Sequence, residues 1–408
     1  MSGDGAIGLE RILQARAAGA GLIRRTPILS SRTIAERCGA PEVALKAENL
    51  QRTGSFKPRG AAAKIAALGD GCRAGVVAGS AGNHAQAVAY AARAAGVPCE
   101  VFMPADASIA KTDSALSLDA RVHVVPGSVD EAVRAAREHA EARGMAFVHP
   151  FDDPDVVAGQ GTLGLELVED VEELAKVVIP VGGGGLAAGV AIAIKSQRPD
   201  VEVVGVQAQA CAPVVESLRA DAPAIARSAL TIADGIAVKR PGDLTLPLLE
   251  RWLDDAVAVP EDDIAEAMVL LLERAKLVVE GAGAVGVAAL TGGQVAPAPR
   301  GTTVAILSGG NVDPGLLAAV ARRHETESGR RLVLLTRISD RPGGLAALLA
   351  RVAETGANLV DVSHVREGVD LHVRETAVEL VLETRGREHA AAIARALEDG
   401  GYATQVVR

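Results

Sequence analysis

A chain of 408 residues is too long for one ordinary hydrophobic core and predicts two or more domains. Apolar residues make up 49% and charged residues 23%, a globular balance, while aromatics at only 2% leave the core to Ala, Val, Leu and Ile. A net charge of -9 argues against a nonspecific nucleic-acid binder, the absence of a long apolar run argues against a membrane span, and the spacing of Cys38, Cys72, Cys99 and Cys211 argues against disulfides or structural zinc.

The opening MSGDGAIGLE has no basic segment leading into an apolar run, so no signal peptide is expected and the cytoplasm is the expected location. Residues 9–20 and 31–37 read as helices and 43–46 as a short strand. Residues 55–68 read as a helix with Pro58 in its first turn, where proline is tolerated. Regular alternation follows, with strands at 74–78, 99–103 and 121–125 and a short extended piece at 147–149. Helices are expected at 85–95, 107–117, 129–143 and 159–169. The next cycle is the clearest: a β-branched strand over 176–181, four glycines, a helix over 186–195 and a strand over 201–207. Later strands are expected at 255–259, 277–279 and 304–307, with a helix at 264–275. Repeated βα units of this kind predict an α/β fold with mostly parallel sheets in two lobes over residues 1–325, the smaller lobe being roughly 55–150. A charged and polar stretch at 321–331 marks a boundary. Beyond it, strand 331–337, helix 343–355, strands 359–365 and 377–383, helix 388–399 and strand 404–407 spell βαββαβ. That order predicts a small ferredoxin-like domain with an antiparallel sheet over 331–408.

Four stretches carry residues suited to chemistry, each at or beside a strand-to-helix junction: Ser55-Phe56-Lys57, Ser80-Ala81-Gly82-Asn83-His84, Gly182-Gly183-Gly184-Gly185 and Ser308-Gly309-Gly310-Asn311. Open parallel sheets bind ligands beyond the carboxyl ends of their strands, so four distant stretches can meet in one cleft. The glycine run is either a tight structural turn or a phosphate cradle, since bare backbone N–H groups and a helix N-terminus both favour an anion. It is not a Walker A loop, because no Lys-Ser/Thr pair follows. Nor is it a dinucleotide fingerprint, because Gln207 ends the next strand where a ribose-binding carboxylate belongs. Lys57 stands at a helix start, where a cation gains nothing from the dipole; burial beside Phe56 and Pro58 would lower its pKa and free the amine as nucleophile or base. The loop holding Ser80 and Asn83 reads as a capping turn, since Ser and Asn both cap well, and it also offers Ser80 and several N–H groups to a carboxylate. The hydroxyl of Ser308 would meet a ring nitrogen or only its own turn.

Taken together, ENLQRTGSFKPRGA, SAGNHAQAVA, HPFDDPDVVAGQGTLGLEL, VGGGGLAAG, TIADGIAV and LSGGNVD resemble the threonine dehydratase (threonine ammonia-lyase) family of fold type II pyridoxal-phosphate enzymes, in order from about residue 20 to 318. The resemblance implies pyridoxal 5'-phosphate as cofactor. Lys57 resembles the lysine that carries it as a Schiff base, Phe56 the residue packed beside its ring, and Asn83 the donor to its phenolic oxygen. Gly182, Gly183, Gly184 and Gly185 resemble the phosphate cradle, and Ser308 the partner of the pyridine nitrogen. Glu280 resembles a glutamate near the ring, with Gly281 standing where proline is common. Ser80, Ala81, Gly82 and His84 lie in the loop that receives the substrate carboxylate. The implied reaction is β-elimination, giving 2-oxobutanoate from threonine or pyruvate from serine, with ammonia. Serine or 3-hydroxyaspartate is the alternative substrate, and a non-catalytic amino-acid sensor is a rival of another class.

Two departures bear on this reading. Related serine racemases carry a second serine where this chain has Ala81, which has no proton to exchange, so elimination is expected over racemisation. The positions matching a divalent-ion site look like Gln207 and Pro213, so no metal ligand is assigned. The tail ISDRPGGLAALLARVAETGANL resembles an ACT domain, a module that often binds amino acids. Asp340, Gly343, Gly344 and Asn358 are its expected effector site, with isoleucine or valine as effector; joining subunits into a dimer or tetramer is its other expected role.

Overall fold

A computed structural model describes residues 7–407 except 106, 108, 221 and 368–370. Residues 1–6, on which the expectation of no leader partly rests, lie outside it. The chain divides into two compact units, Met1–Val312 and Asp313–Arg408.

The first unit is α/β, as the alternating pattern predicts. Its larger sheet runs Ile28–Ser30, Glu42–Ala47, Thr302–Leu307, Leu174–Pro180, Glu202–Ala208, Asp255–Val259. Only the edge pair Ile28–Ser30 with Glu42–Ala47 is antiparallel. The smaller sheet, Arg121–Val125, Cys99–Pro104, Val76–Gly79, Ala146–Phe147, is parallel throughout. Strand Thr302–Leu307 is buried along its whole length, with Val304, Ala305, Ile306 and Leu307 supplying apolar side chains to both faces.

With so few aromatics, the core closes by bringing backbones together. Helices Pro58–Leu68, Pro154–Asp170 and Gly185–Lys195 meet through glycines. A β-carbon on Gly159 would fall 2.4 Å from the Arg59 carbonyl oxygen, and one on Gly189 would fall 2.2 Å from that of Val157. These glycines are there because only hydrogen fits the gap. The first of these contacts holds the helix that follows Lys57 against helix Pro154–Asp170.

A buried charge cluster anchors the same helix. Arg59 Nε donates to Glu48 Oε2 at 2.8 Å and Nη1 donates to Glu166 Oε1 at 2.7 Å. Lys46 Nζ donates to Glu166 Oε2 at 2.5 Å and to the Thr26 carbonyl at 2.9 Å. Lys46, Glu48, Arg59 and Glu166 are all buried, two cations against two anions. Such a group holds only while complete, since removing one member leaves a buried charge at a cost of about 3–5 kcal/mol.

Several elements differ from the sequence expectation. Helix Pro154–Asp170 starts earlier than 159, because Asp153 accepts from the backbone N–H groups of Asp155 and Val156 and Pro154 occupies the first turn. Residues 277–279 form no strand. The Leu277 N–H donates to the Leu271 carbonyl and the Val278 carbonyl accepts from the Asn49 side chain, so the apolar triplet packs as a connector. The charged stretch around 321–331 is largely helix Pro314–Glu327, capped by Asp313, and belongs to the second unit.

The second unit holds the expected βαββαβ order. Its antiparallel sheet runs Asn358–Val365, Glu375–Glu383, Arg331–Ser339, Thr404–Val407, with helices Gly344–Glu354 and Arg387–Asp399. A separate apolar core, including Leu334, Leu348, Leu380, Ile393 and Leu397, holds it together. No helix among the described residues is long and apolar enough to cross a membrane.

Candidate active site

Lys57 is delivered by an irregular turn rather than by a regular element. Thr53 has φ 59°, and Ser55 pairs with Gly309 as an isolated antiparallel bridge. The Gly310 N–H donates to the Gly54 carbonyl at 2.9 Å, and the Phe56 N–H donates to the Ser308 carbonyl at 3.1 Å. Backbone pairing thus joins the loop after the last strand of the first unit to the residues before Lys57. Lys57 caps helix Pro58–Leu68, its ammonium nitrogen 2.8 Å from the Pro150 carbonyl and 5.1 Å from the centre of the Phe56 ring. Lys57 forms no ion pair among the described residues. Burial brings its pKa down to about 8, against a smaller upward pull from Glu280.

Asn83 and Glu280, distant in sequence, meet through a side-chain hydrogen bond. Asn83 Nδ2 donates to Glu280 Oε1 at 2.8 Å, and Asn83 Oδ1 accepts from Asn311 Nδ2 at 2.7 Å. Asn311 Nδ2 also donates to the Thr53 carbonyl at 2.7 Å, so one amide ties the Asn83 loop to the Lys57 turn. Burial, with Asp234 nearby, pushes the Glu280 carboxyl up to about 7. Glu280 precedes helix Gly281–Thr291, and a β-carbon on Gly281 would fall 2.3 Å from the Ile232 carbonyl oxygen. Glycine at this departure from the family pattern lets the TIADGIAV segment lie directly on the helix start.

The glycine run leaves strand Leu174–Pro180 and opens helix Gly185–Lys195, with Gly184 at φ 101°. The N–H groups of Gly182, Gly183 and Gly184 have no acceptor among the described residues. A β-carbon on Gly183 would fall 2.4 Å from Phe151 ring carbons. Thr245 Oγ1 donates to the Gly183 carbonyl at 2.5 Å. Asp152 accepts from the N–H groups of Asp243, Leu244 and Thr245, fixing the start of helix Thr245–Trp252. His149 Nδ1 accepts from the Asp152 N–H at 2.7 Å, and burial lowers its pKa to about 4, so the ring is neutral. Sequence reasoning assigned no role to Pro150, Phe151, Asp152, Thr245 or Asn311. The signal was present for the first three in HPFDD, whose polar residues sit beside an aromatic ring.

The remaining positions are spread more loosely. Ser80 Oγ accepts from the Gly82 N–H at 3.1 Å, and Ser80, Ala81 and Gly82 are half-buried ahead of helix Asn83–Ala95. The His84 side chain is turned to the scaffold, with Nε2 2.8 Å from the Val148 carbonyl; burial lowers its pKa to about 3 and keeps it neutral. Only its backbone N–H remains for a carboxylate. Ser308 is buried, and its hydroxyl has no hydrogen-bond partner among the described residues. Gln207 is fully buried and donates to the Val181 carbonyl while accepting from the Val214 and Val215 N–H groups.

The model of the pyridoxal-phosphate dependent enzymes matches residues 20–309. The chain belongs to this family. Within it, the chain is 45% identical to the L-threonine ammonia-lyase of Thermotoga maritima over 403 residues, 98% of this chain and 100% of that relative. The solved structure of the T.th. threonine deaminase matches with a TM-score of 0.70 at 40% identity, over 75% of this chain and 99% of that one. Maize serine racemase matches with a TM-score of 0.74 at 32% identity, over 79% of this chain and 99% of that one. The residues present fit the family's cofactor. Among the described residues the buried Lys57 amine has no counter-ion, the N–H groups of Gly182, Gly183 and Gly184 have no acceptor and so suit a phosphate, and the buried Ser308 hydroxyl has no hydrogen-bond partner.

In the second unit the expected effector residues do not gather. Asp340 follows strand Arg331–Ser339 and pairs with Arg366 at 3.0 Å, and Gly343, at φ 90°, starts helix Gly344–Glu354. Asn358, however, lies opposite Glu383, which lies opposite Arg331. Helix Gly344–Glu354 carries the chain back along the sheet, so Asn358 starts at the other end of the strand. At about 3.3 Å per residue the separation is roughly 26 Å. The expectation that Asn358 lies near Asp340 is therefore corrected for a single chain.

Proposed function

We propose that this chain is a threonine ammonia-lyase, converting L-threonine to 2-oxobutanoate and ammonia, with activity on L-serine. The observation that carries the reading is the buried Lys57 amine, lowered to about 8, without an ion partner among the described residues and bonded to the Pro150 carbonyl, next in sequence to the Phe151 ring that packs on Gly183. Full-length similarity to an L-threonine ammonia-lyase supports the substrate class.

When bound, pyridoxal 5'-phosphate supplies the electron sink that permits loss of the substrate Cα proton. The chain does the rest. Lys57 would hold the cofactor and, once displaced by the substrate amine, act as base at Cα. Gly182, Gly183, Gly184 and Gly185 would hold the phosphate, and the N–H groups of the Ser80-Ala81-Gly82 loop would take the substrate carboxylate. Asn83 has a second amide hydrogen to offer the phenolic oxygen. Ser308, being neutral, would leave the pyridine nitrogen unprotonated. That limits how long negative charge persists at Cα, so prompt departure of the β-hydroxyl is favoured. Ala81 has no proton to deliver from the opposite face, which favours elimination over racemisation. The proton for the leaving hydroxyl would come from Lys57, protonated after acting as base, or from the cofactor phosphate.

The second unit would bind an amino-acid effector such as isoleucine or valine at the Asp340–Gly344 loop and contribute to self-association. Strand Asn358–Val365 is a sheet edge with Leu359 and Val360 exposed, a surface suited to pairing. The cytoplasm is the proposed location.

The test is a 2-oxo acid assay across threonine, serine and 3-hydroxyaspartate, with and without isoleucine. Threonine is expected to turn over fastest, and K57A to lose both turnover and the visible absorption of the lysine-bound cofactor. Turnover retained by K57A would end the assignment of Lys57, and a preference for 3-hydroxyaspartate would replace the substrate.

A further inference from the structure

A second cluster of chemically competent side chains lies in the smaller sheet, among residues with no part in the site above. Glu100 and Phe102 are two apart on strand Cys99–Pro104 and share a face. His123 lies directly opposite Phe102 on the neighbouring strand Arg121–Val125. Helix Val129–Arg143 covers that face, packing Ala132, Ala136 and Ala140 with Phe102 and Val77, and it brings His139 alongside. The Phe102 ring stacks on His123 at 4.5 Å and lies 5.1 Å from His139, and the two imidazoles are 5.4 Å apart.

One ligand atom from each of Glu100, His123 and His139 lies within 4.8 Å of the others. His123 Nε2 hydrogen-bonds to Glu100 Oε2. His139 Nε2 stands 3.1 Å from the same oxygen, yet is buried without a hydrogen-bond partner among the described residues. A single carboxylate oxygen is thus approached by two ring nitrogens and satisfies one. The three side chains remain 18–25% exposed, which leaves an ion a way in. Around a tetrahedral ion with ligand distances of about 2.0–2.1 Å, ligand atoms stand roughly 3.3 Å apart, so small rotamer adjustments would bring this trio to coordinating geometry.

We propose that Glu100, His123 and His139 bind a divalent transition ion of the Zn²⁺ class. The ion joins helix Val129–Arg143 to the two strands beneath it. Two imidazoles and one carboxylate suit Zn²⁺, Co²⁺, Ni²⁺ or Cu²⁺, whereas Mg²⁺ and Ca²⁺ want an oxygen shell that one carboxylate does not provide. Three protein ligands leave the fourth position to water.

Co²⁺ is the probe, added to the full-length holoenzyme after chelator treatment and followed by equilibrium dialysis and its visible ligand-field absorption. The wild type is expected to bind one Co²⁺ per chain, displaced by Zn²⁺ and not by Mg²⁺. The doubly substituted H123Q/H139Q chain is expected to lose this binding while keeping cofactor absorbance and 2-oxo acid formation. E100Q, which leaves both imidazoles in place, provides a second variant and is expected to bind Co²⁺ more weakly. Zn²⁺ should raise the thermal midpoint of the wild type and not that of H123Q/H139Q. The proposal is overturned if the wild type binds no stoichiometric Co²⁺, or if H123Q/H139Q binds it equally well.

Discussion

Burial is the main influence on the charge of both Lys57 and Glu280, and Glu280 pulls the lysine part of the way back up. Burial lowers the lysine to about 8 and raises the carboxyl to about 7, so both change protonation close to neutral pH. An amine attacks an aldehyde only when unprotonated. Cofactor capture by the apoenzyme should therefore be slow well below pH 8 and rise through it. Glu280 favours the ammonium form, so E280Q should move the midpoint of that rise to lower pH; a midpoint that stays put or moves upward in stopped-flow measurements would show that the two groups are not coupled. His84 and His149, lowered to about 3 and 4, stay neutral across this range and leave the profile to Lys57 and Glu280.

The elements around the glycine run form a chain of supports. Neutral His149 orients the Asp152 turn, Asp152 caps helix Thr245–Trp252, and Thr245 holds the Gly183 carbonyl. The Gly183 carbonyl is thereby satisfied, while the N–H groups of Gly182, Gly183 and Gly184 have no acceptor among the described residues. Phe151 fills the space that a side chain at Gly183 would need. G183A should force the ring or loop to shift, at about 1–3 kcal/mol for overpacking of this kind. The expected result is weaker cofactor retention in equilibrium dialysis with near-normal far-UV dichroism. Unchanged retention would mean that this loop does not grip the phosphate.

As a whole, the molecule is two separately cored units, with helix Pro314–Glu327 assigned to the second. The family match spans residues 20–309 and so lies wholly within the first unit. A chain ending at Val312 is expected to keep β-elimination with kcat within a few-fold and to lose any response to isoleucine or valine. Kinetic titration with each effector checks this, and a response surviving in the truncated chain would move the effector site into the first unit.

What the amino-acid order determined by itself is local. β-branched runs between Ala-rich helices specified the α/β class, and the βαββαβ order of the tail was readable because hydrophobic period and turn residues act over a few positions. Lys57 and the glycine run stood out because their composition is unusual for their place at helix starts. Contacts between distant segments were decided only by the tertiary structure. Packing closed the Lys46–Glu48–Arg59–Glu166 cluster, and loop pairing bound residues 54–56 to 308–310. Sheet register put Asn358 at the far end from Asp340. Strand pairing and helix packing also brought together Glu100, His123 and His139, three side chains with no spacing motif. Such encounters depend on which strands pair and in what register, and a period read along one segment carries no information about its partner.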